Sequence, residues 1–263
     1  MQAALIPPRG LENYILHSTF HLALAIPQCM SNYDYTNAYS DAATRGDYIV
    51  VDNGAADGGL VSNEELLDAA FMLAAKEIVA PDVFYDKAAT IVKVKEFLRK
   101  FQLPLVPYKI MAVAQGTSPA SIRRCIDVYA TLPEIDVVGL PKHMLTTLNV
   151  KAARLDMAKW IDECFPGRFQ IHMLGTNPVW LKEIVSVAKY APFVRSVDSA
   201  LPFNYALASQ DLAMTKLELT RNPEYFDLDW SETASTRHVN NNIKTFMGWA
   251  NATSVKETST CEL

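Results

Sequence analysis

The sequence predicts a single-domain α/β protein with the architecture of a TIM-type (β/α)8 barrel. The first observation is the length of 263 residues, which is close to that of one such barrel. The second is a rhythm of apolar, strand-like runs that alternate with helical patterns. The third is that polar or glycine residues end these runs at positions 52, 82, 115, 139, 175 and 198, which are 23 to 36 residues apart by subtraction. A closed barrel is favoured over a doubly wound open sheet, because an open sheet concentrates its site at one switch point.

The individual elements follow from apolar periodicity and from capping residues. One or two strands are predicted within 14–25, and two strands there would bring the total to eight. A short helix is predicted over 31–45, ending before Gly46. The strand 47–52 opens into a glycine-rich turn, and Ser62 or Asn63 can cap the helix that follows.

The later units repeat this pattern. Strands are predicted at 77–82, 108–113, 136–141, 169–175 and 193–198, and helices at 87–101, 118–132, 150–165, 178–190 and 236–250. Proline in the first turn supports the helix that begins near Pro119. We therefore expect one barrel domain over 1–250 and a disordered tail over 251–263.

Composition narrows the classes of protein and of partner. The net charge of −5 is a weak argument against nucleic acid as a partner, because nonspecific binding depends on Lys and Arg. Four scattered cysteines predict neither a disulfide framework nor a zinc site, which fits a reduced, cytoplasmic setting. No apolar run reaches the length of a membrane span, and the first ten residues lack the pattern of an export signal. Two groups of basic residues are candidates for a local basic patch, although such charges more often form a solvated face. They are Lys93, Lys95, Arg99 and Lys100 on one helix, and Lys142, His143, Lys151 and Arg154 around one loop.

In a barrel, the side chains at the carboxyl ends of the strands converge on one mouth. Asp52, Asp82 and Asp198 would then share a pocket with Gln115 and with the backbone of Gly139, Leu140 and Gly175. Three carboxylates in a partly dry pocket should differ in pKa, which suggests a division of work among acid, base and nucleophile. One interpretation is a divalent metal site, and the other is covalent catalysis at a sugar carbon. The amide of Gln115 and the exposed backbone at Gly139 favour the second.

Taken in order, six short runs are similar to the motif series of the tRNA-guanine transglycosylase superfamily, and in particular to its small phage and bacterial relatives that put 7-deazaguanines into DNA. The runs span roughly 47–203 and are Val51-Asp52-Asn53-Gly54, Ala80-Pro81-Asp82, Ala112-Val113-Ala114-Gln115-Gly116, Val138-Gly139-Leu140, His172-Met173-Leu174-Gly175 and Val197-Asp198-Ser199-Ala200-Leu201-Pro202.

The resemblance implies a base-exchange enzyme that replaces guanine in DNA with a 7-deazaguanine. Asp198 would be the nucleophile that holds the sugar covalently, and Asp52 would be the general acid/base. The implied substrate-binding residues are Asn53, Asp82, Gln115, Gly139, Leu140, Leu174 and Gly175. Asp82 and Gln115 would bind the edge of the base, Gly139 and Leu140 would offer backbone contacts, and Leu174 would pack on a ring face. The target nucleoside would have to leave the base stack.

The chain departs from the family pattern in two places. Asn204 and Tyr205 stand where the tRNA enzymes continue towards arginines and a zinc site, so neither a zinc-binding subdomain nor any other metal or cofactor is expected. Ala56 stands where those enzymes have an aromatic residue, so Phe84, Tyr85 or Phe203 would have to stack on the base. DNA is expected as the partner in preference to tRNA, with a possible homodimer and no membrane.

Other interpretations stay open beside this one. They are the same chemistry on tRNA, a metal-dependent lyase or hydrolase that uses Asp52, Asp82 and Asp198 as ligands, and a non-catalytic barrel that binds nucleic acid. An aspartate after a strand can also be a simple helix cap. His172, on an apolar strand, is interpreted as a core residue.

Overall fold

The computed structural model describes residues 1–57, 61–100, 108–214, 218–219 and 221–252. These residues form one sheet of eight parallel strands. The strands are β1 (Gln2–Leu5), β2 (Phe20–Leu24), β3 (Tyr48–Asp52), β4 (Glu77–Val79), β5 (Lys109–Val113), β6 (Ile135–Pro141), β7 (Gln170–Leu174) and β8 (Ser196–Ser199). The disordered tail predicted over 251–263 lies mostly outside the described residues, which end at 252.

The strands are arranged in the order β1-β8-β7-β6-β5-β4-β3-β2, and every hydrogen-bonded neighbour pair is parallel. β1 and β2 pack beside each other, so the sheet nearly closes on itself. This is a single-domain TIM-type (β/α)8 barrel, and the predicted fold class is confirmed. In such a ring β4 and β8 are four strands apart in either direction, so they form opposite walls.

Helices cover the outside of the sheet. They are α1 (Pro27–Met30), α2 (Tyr33–Thr44), α3 (Asn63–Met72), α4 (Lys87–Lys100), α5 (Pro119–Ala130), α6 (Met144–Leu148), α7 (Ala153–Cys164), α8 (Glu183–Tyr190), α9 (Leu201–Leu207) and α10 (Thr236–Ala250). The cap expected for α3 is present: Ser62 and Glu65 form a reciprocal capping box. The segment predicted as one helix over 178–190 is instead a 3₁₀ turn, Pro178–Trp180, followed by α8.

The first strand lies earlier in the chain than the sequence predicts. Only β2 comes from 14–25, because Glu12–His17 forms a 3₁₀ helix, and the missing strand is Gln2–Leu5. This strand has only four residues, and its backbone is satisfied by β8, with Ala4 opposite Asp198. Pairing with a strand almost 200 residues away creates the element, and no local pattern reveals it.

The core consists of apolar side chains between the barrel and its helices, and nineteen polar or charged residues among those described are also buried. Strand boundaries decide which predicted residues reach the mouth. Asp52 ends β3, whereas Asp82 and Gln115 come shortly after β4 and β5. Gly139 and Leu140 lie inside β6, which continues to Pro141. Within the described residues, no helix is both long enough and apolar enough to cross a membrane.

Candidate active site

The carboxyl ends of the strands surround a cavity of about 410 Å³. Seven of the nine predicted site residues line it: Asp52, Asn53, Asp82, Gln115, Leu174, Gly175 and Asp198. The structure does not bring Gly139 and Leu140 to this cavity. A side chain at Gly139 would meet Met111 on the neighbouring strand, and the Leu140 carbonyl oxygen already accepts a hydrogen bond from Arg154.

Asp198 stands on β8 with only 4% of its surface exposed. Its Oδ1 accepts a hydrogen bond of 2.7 Å from the backbone N–H of Gly175, and His172 Nε2 lies 3.0 Å from the same oxygen. His172 is fully buried, which agrees with its interpretation as a core residue, but its contact with a cavity-lining carboxylate was not predicted. In the described part of the chain, no side chain or backbone group bonds to Oδ2, so Oδ2 is the oxygen available to a ligand.

The donor to Asp198 depends on a left-handed turn. Gly175 has φ of +69°, a conformation that is costly for any residue with a Cβ. A Cβ here would also lie 2.9 Å from the side chain of Lys142. Glycine is therefore required at this position, both for the backbone conformation and for the space beside Lys142.

Arg154 holds the same turn from behind. Its Nη1 donates to the carbonyl oxygens of Leu140, Leu174 and Gly175 at 3.1, 3.3 and 2.8 Å, and its other nitrogens bind the carboxylate of Glu183. Both charged side chains are fully buried. The interpretation of Arg154 as part of a solvated basic face is wrong, because a planar guanidinium can satisfy three carbonyls and a carboxylate inside the protein.

Asp82 lies on the wall opposite Asp198. Gln115 Nε2 donates to its Oδ2 at 2.6 Å, and Asn53 Nδ2 lies 3.2 Å from its Oδ1. Burial raises the pKa of the Asp82 carboxyl above its usual value, although the two amide donors act in the opposite direction. Asp82 is therefore a carboxyl group that holds its proton more readily than an exposed aspartate does.

His143 is a site residue that the sequence reasoning missed. Gln115 gives its amide hydrogens to Asp82, so its Oε1 is the atom that accepts from the Tyr85 N–H at 3.1 Å and faces His143 Nε2 at 3.0 Å. A hydrogen bond between Oε1 and Nε2 requires the proton of His143 to be on Nε2, which leaves Nδ1 as an acceptor. Burial, together with the charges of Arg154 and Lys142, lowers the pKa of His143 to about 4. The available signal was its position two residues after the end of β6.

An aromatic rim surrounds this histidine. The Phe84 and Tyr85 rings lie 5.1 and 4.7 Å from the His143 ring, measured between centroids, and both line the cavity, as does Ala56. Phe203, the third aromatic residue considered, is fully buried and does not line it. Tyr85 has φ of +65°, which is unusual for a bulky residue, and its backbone is held in place by Gln115.

Asp52 is the last residue of β3 and is mostly buried. Its Oδ1 lies 3.4 Å from the backbone N–H of Gly54, at the beginning of the following turn. Because β3 is next to β4, Asp52 belongs to the wall that carries Asp82 and not to that of Asp198. Among the described residues, no group of three His, Cys, Asp or Glu side chains is placed to hold a metal ion.

Comparisons with known proteins bear on the fold. No sequence family model and no curated protein matches the chain. A putative mandelate racemase from Bordetella bronchiseptica RB50, solved with 2-oxoglutarate and phosphate, has 11% sequence identity and a TM-score of 0.52, and the match covers 89% of this chain and 63% of that one. A dipeptide epimerase from Methylococcus capsulatus has 15% identity and a TM-score of 0.47, covering 75% and 53%. CdNal from Clostridium difficile, solved with mannosamine, has 11% identity and a TM-score of 0.46, covering 95% and 80%. The chain spans roughly half the length of two neighbours. One is the dipeptide epimerase, and the other is a putative mandelate racemase/muconate lactonizing enzyme from Aspergillus oryzae.

These findings overturn the resemblance to the tRNA-guanine transglycosylases, together with the DNA base exchange and the covalent Asp198–sugar intermediate expected from it. No transglycosylase family model matches the sequence, and the structural neighbour reported above with a TM-score over 0.5 is a putative mandelate racemase. The physical reason is that the strands of any (β/α)8 barrel end at one mouth, where many unrelated enzymes carry polar or glycine residues, so six such runs indicate the architecture and not a family. The expected partners, DNA, tRNA, a 7-deazaguanine and a second copy of the chain, are not tested by the structure. What the comparisons establish is the fold.

Proposed function

We propose that the cavity is the active site of an enzyme that transfers protons to and from a small polar substrate by general acid–base catalysis. The observation that carries this proposal is that Asp82 and Asp198 line one small cavity from opposite walls of the barrel. A molecule bound between them has one carboxyl group on each side. That is the arrangement needed to remove a proton from one face of a carbon atom and to return a proton to the other.

The surroundings of the two carboxyl groups support a division of roles. Burial raises the pKa of Asp82, which favours its acid form, while Asp198 accepts from the Gly175 N–H and from His172. In this proposal Asp198 takes the proton from the substrate through Oδ2, and Asp82 donates its proton to the opposite face. The two residues end the turnover with their protonation states exchanged.

The cavity also limits the substrate. A volume of about 410 Å³ lies near the lower end of the usual range for ligand pockets. Asp52 and the acceptor nitrogen of His143 suit a substrate with hydroxyl or amino donors. The cationic side chains of Lys142 and Arg221 also line the cavity and would neutralise an anionic group while the neighbouring C–H proton is removed. We therefore propose a small hydroxy or amino acid as the substrate and isomerisation or epimerisation as the reaction.

The proposal can be tested before the product is known. The purified protein is incubated in D₂O with pools of small hydroxy and amino acids, and each pool is analysed by mass spectrometry for a gain of one mass unit. We expect exchange in one compound class, and a loss of at least 100-fold in Asp198→Asn. Asp82→Asn should retain exchange at the face of Asp198 but lose inversion of the substrate by at least 100-fold. Asp136→Asn is the matched control, because the Asp136 carboxylate accepts from the Ile110 N–H near the beginnings of β5 and β6, at the end of the barrel opposite the mouth. Exchange that persists at the wild-type rate in Asp198→Asn would refute the proposal.

A further inference from the structure

A chain of hydrogen-bonded side chains runs through the barrel interior and ends on Asp198. Its members are Glu77, Arg195, Ser196, His172 and Asp198, and we call it the core chain. Glu77 is the first residue of β4 and Arg195 immediately precedes β8, so the chain starts at the end of the barrel opposite the mouth. Glu77, Ser196 and His172 are fully buried.

The direction of each hydrogen bond in the core chain follows from chemistry. A guanidinium can only donate, so Ser196 Oγ accepts from Arg195 Nε at 3.0 Å. The Ser196 hydroxyl can then donate its own hydrogen, and His172 Nδ1 lies 2.8 Å away. A neutral His172 that accepts at Nδ1 has its proton on Nε2, which faces Asp198 Oδ1 at 3.0 Å.

Arg195 is fixed firmly enough to set this direction. Its two terminal nitrogens bind the two oxygens of Glu77 at 2.6 and 2.9 Å, and Gln170 accepts from Nη1 at 2.9 Å. The Tyr48 hydroxyl donates to the same Glu77 carboxylate at 2.8 Å. The guanidinium also lies over the rings of Phe20 and Tyr48, at 5.3 and 5.8 Å from their centroids. Such a bidentate and stacked arginine has little freedom to turn its Nε away from Ser196.

We infer that Arg195 and Ser196 fix the tautomer of His172, and that His172 in turn holds Oδ1 of Asp198 so that Oδ2 faces the substrate. The catalytic meaning of this inference rests on the proposed function. Arg195, Ser196 and His172 are positioning residues, because none of them is among the described residues that line the cavity. Asp198, the last member of the core chain, does line it. A histidine that served packing alone would need no particular tautomer.

The first test reads the tautomer directly and needs no substrate. The side-chain nitrogens of the five histidines are observed by ¹⁵N NMR, and the signals of His172 are assigned by their loss in His172→Gln. We expect the proton on Nε2 in the wild type, and a shift of population towards the Nδ1–H form in Ser196→Ala. A proton on Nδ1 in the wild type, or an unchanged spectrum in Ser196→Ala, overturns the inference.

The second test asks whether the chain positions the carboxylate. Crystal structures of the wild type and Ser196→Ala are compared, with Ser18→Ala as the control because the Ser18 hydroxyl bonds only to backbone groups of β1 and β2. We expect the Asp198 carboxylate to rotate or to split into two conformers in Ser196→Ala alone. An unchanged Asp198 in that structure overturns the positioning role, whether or not the protein catalyses exchange.

The third test uses the D₂O exchange reaction. We expect Ser196→Ala to lower kcat 10- to 100-fold with little change in KM, and Ser196→Thr to restore most of the rate because it keeps the hydroxyl. His172→Gln retains an N–H donor, so its exchange rate should exceed that of His172→Leu. His21→Leu is the control, because it removes a buried histidine that contacts Asp47 away from the mouth. A wild type that shows no exchange, although the His172 tautomer and the rotation of Asp198 in Ser196→Ala are as expected, would refute the proposed function. That result would leave the positioning role of the core chain supported. Full activity in Ser196→Ala would refute the positioning role.

Discussion

Arg154 and Glu183 form a doubly hydrogen-bonded ion pair from which solvent is fully excluded, with distances of 3.1 Å from Nε to Oε1 and 2.5 Å from Nη2 to Oε2. The remaining donor of Arg154 reaches the carbonyl of Gly175, whose N–H binds Asp198. A fully buried ion pair thus stabilises the turn whose N–H donates a hydrogen bond to Asp198 in the candidate active site.

Glu183→Gln should destabilise the protein strongly. The substitution keeps the shape of the side chain but leaves the buried guanidinium without its counter-charge, and the expected loss in the free energy of unfolding is about 3–5 kcal/mol. Urea unfolding followed by circular dichroism measures this loss. Lys100→Met is the control, since its partner Glu64 is exposed, and it should hardly change the midpoint. Equal losses in the free energy of unfolding for the two substitutions would show that the buried pair stabilises the protein no more than the exposed pair does.

Gly175→Ala should reduce both stability and exchange activity. The left-handed backbone costs an alanine about 1–2 kcal/mol, and the new methyl group would also press on Lys142. Gly167→Ala separates these effects, because Gly167 has φ of +71° with no atom within 4 Å of a new Cβ. We expect Gly167→Ala to show the backbone cost alone and to leave activity unchanged. The double variant Gly175→Ala with Lys142→Ala should regain part of the stability, and no recovery would contradict a clash with Lys142.

Asp82 should make stability depend on pH in the acid range. Because its pKa is raised in the folded state, the native protein binds more protons than the unfolded chain between the two pKa values. Stability therefore falls as the pH rises through that interval, by at most about 1.4 kcal/mol per pH unit. We expect the difference in the free energy of unfolding between wild type and Asp82→Asn to move in favour of the variant from about pH 4 upwards and then to level off. A difference that stays constant with pH would contradict the raised pKa.

His143 should give the opposite slope. Its pKa of about 4 in the folded state lies below its value in the unfolded chain, so the unfolded chain binds the extra proton as the pH falls. Stability is then lost between about pH 6.5 and about pH 4, and because the ring is partly exposed we expect no more than about 2 kcal/mol from this residue. His143→Gln should flatten the slope in urea unfolding. In NMR, the His143 ring should not titrate between pH 5.5 and 8, and a midpoint near 6.5 would contradict the prediction.

The alternation of apolar runs and helical patterns was enough to predict the barrel, because the period of a buried parallel strand and that of its helix are local properties of the chain. Helix α10 was predicted with its observed bounds, 236–250, because a polar stretch precedes it and its apolar face is regular. The same local signals placed Asp52, Asp82, Gln115 and Asp198 at strand ends and therefore at one mouth. They could not identify a family, because polar residues at strand ends occur in barrels of many unrelated functions.

Other features depend on contacts between residues that are far apart in the sequence. β1 becomes a strand only beside β8, and Arg195 meets Glu77 across 118 positions. Arg154 looked like a surface cation, and its burial follows from Glu183 and three carbonyls that only the folded barrel brings together. The sequence by itself determined the architecture and the carboxyl groups at the mouth. The tertiary structure alone decided their hydrogen-bond partners, and hence which oxygen of Asp198 is left for a substrate, because hydrogen bonds depend on distances that local periodicity does not contain.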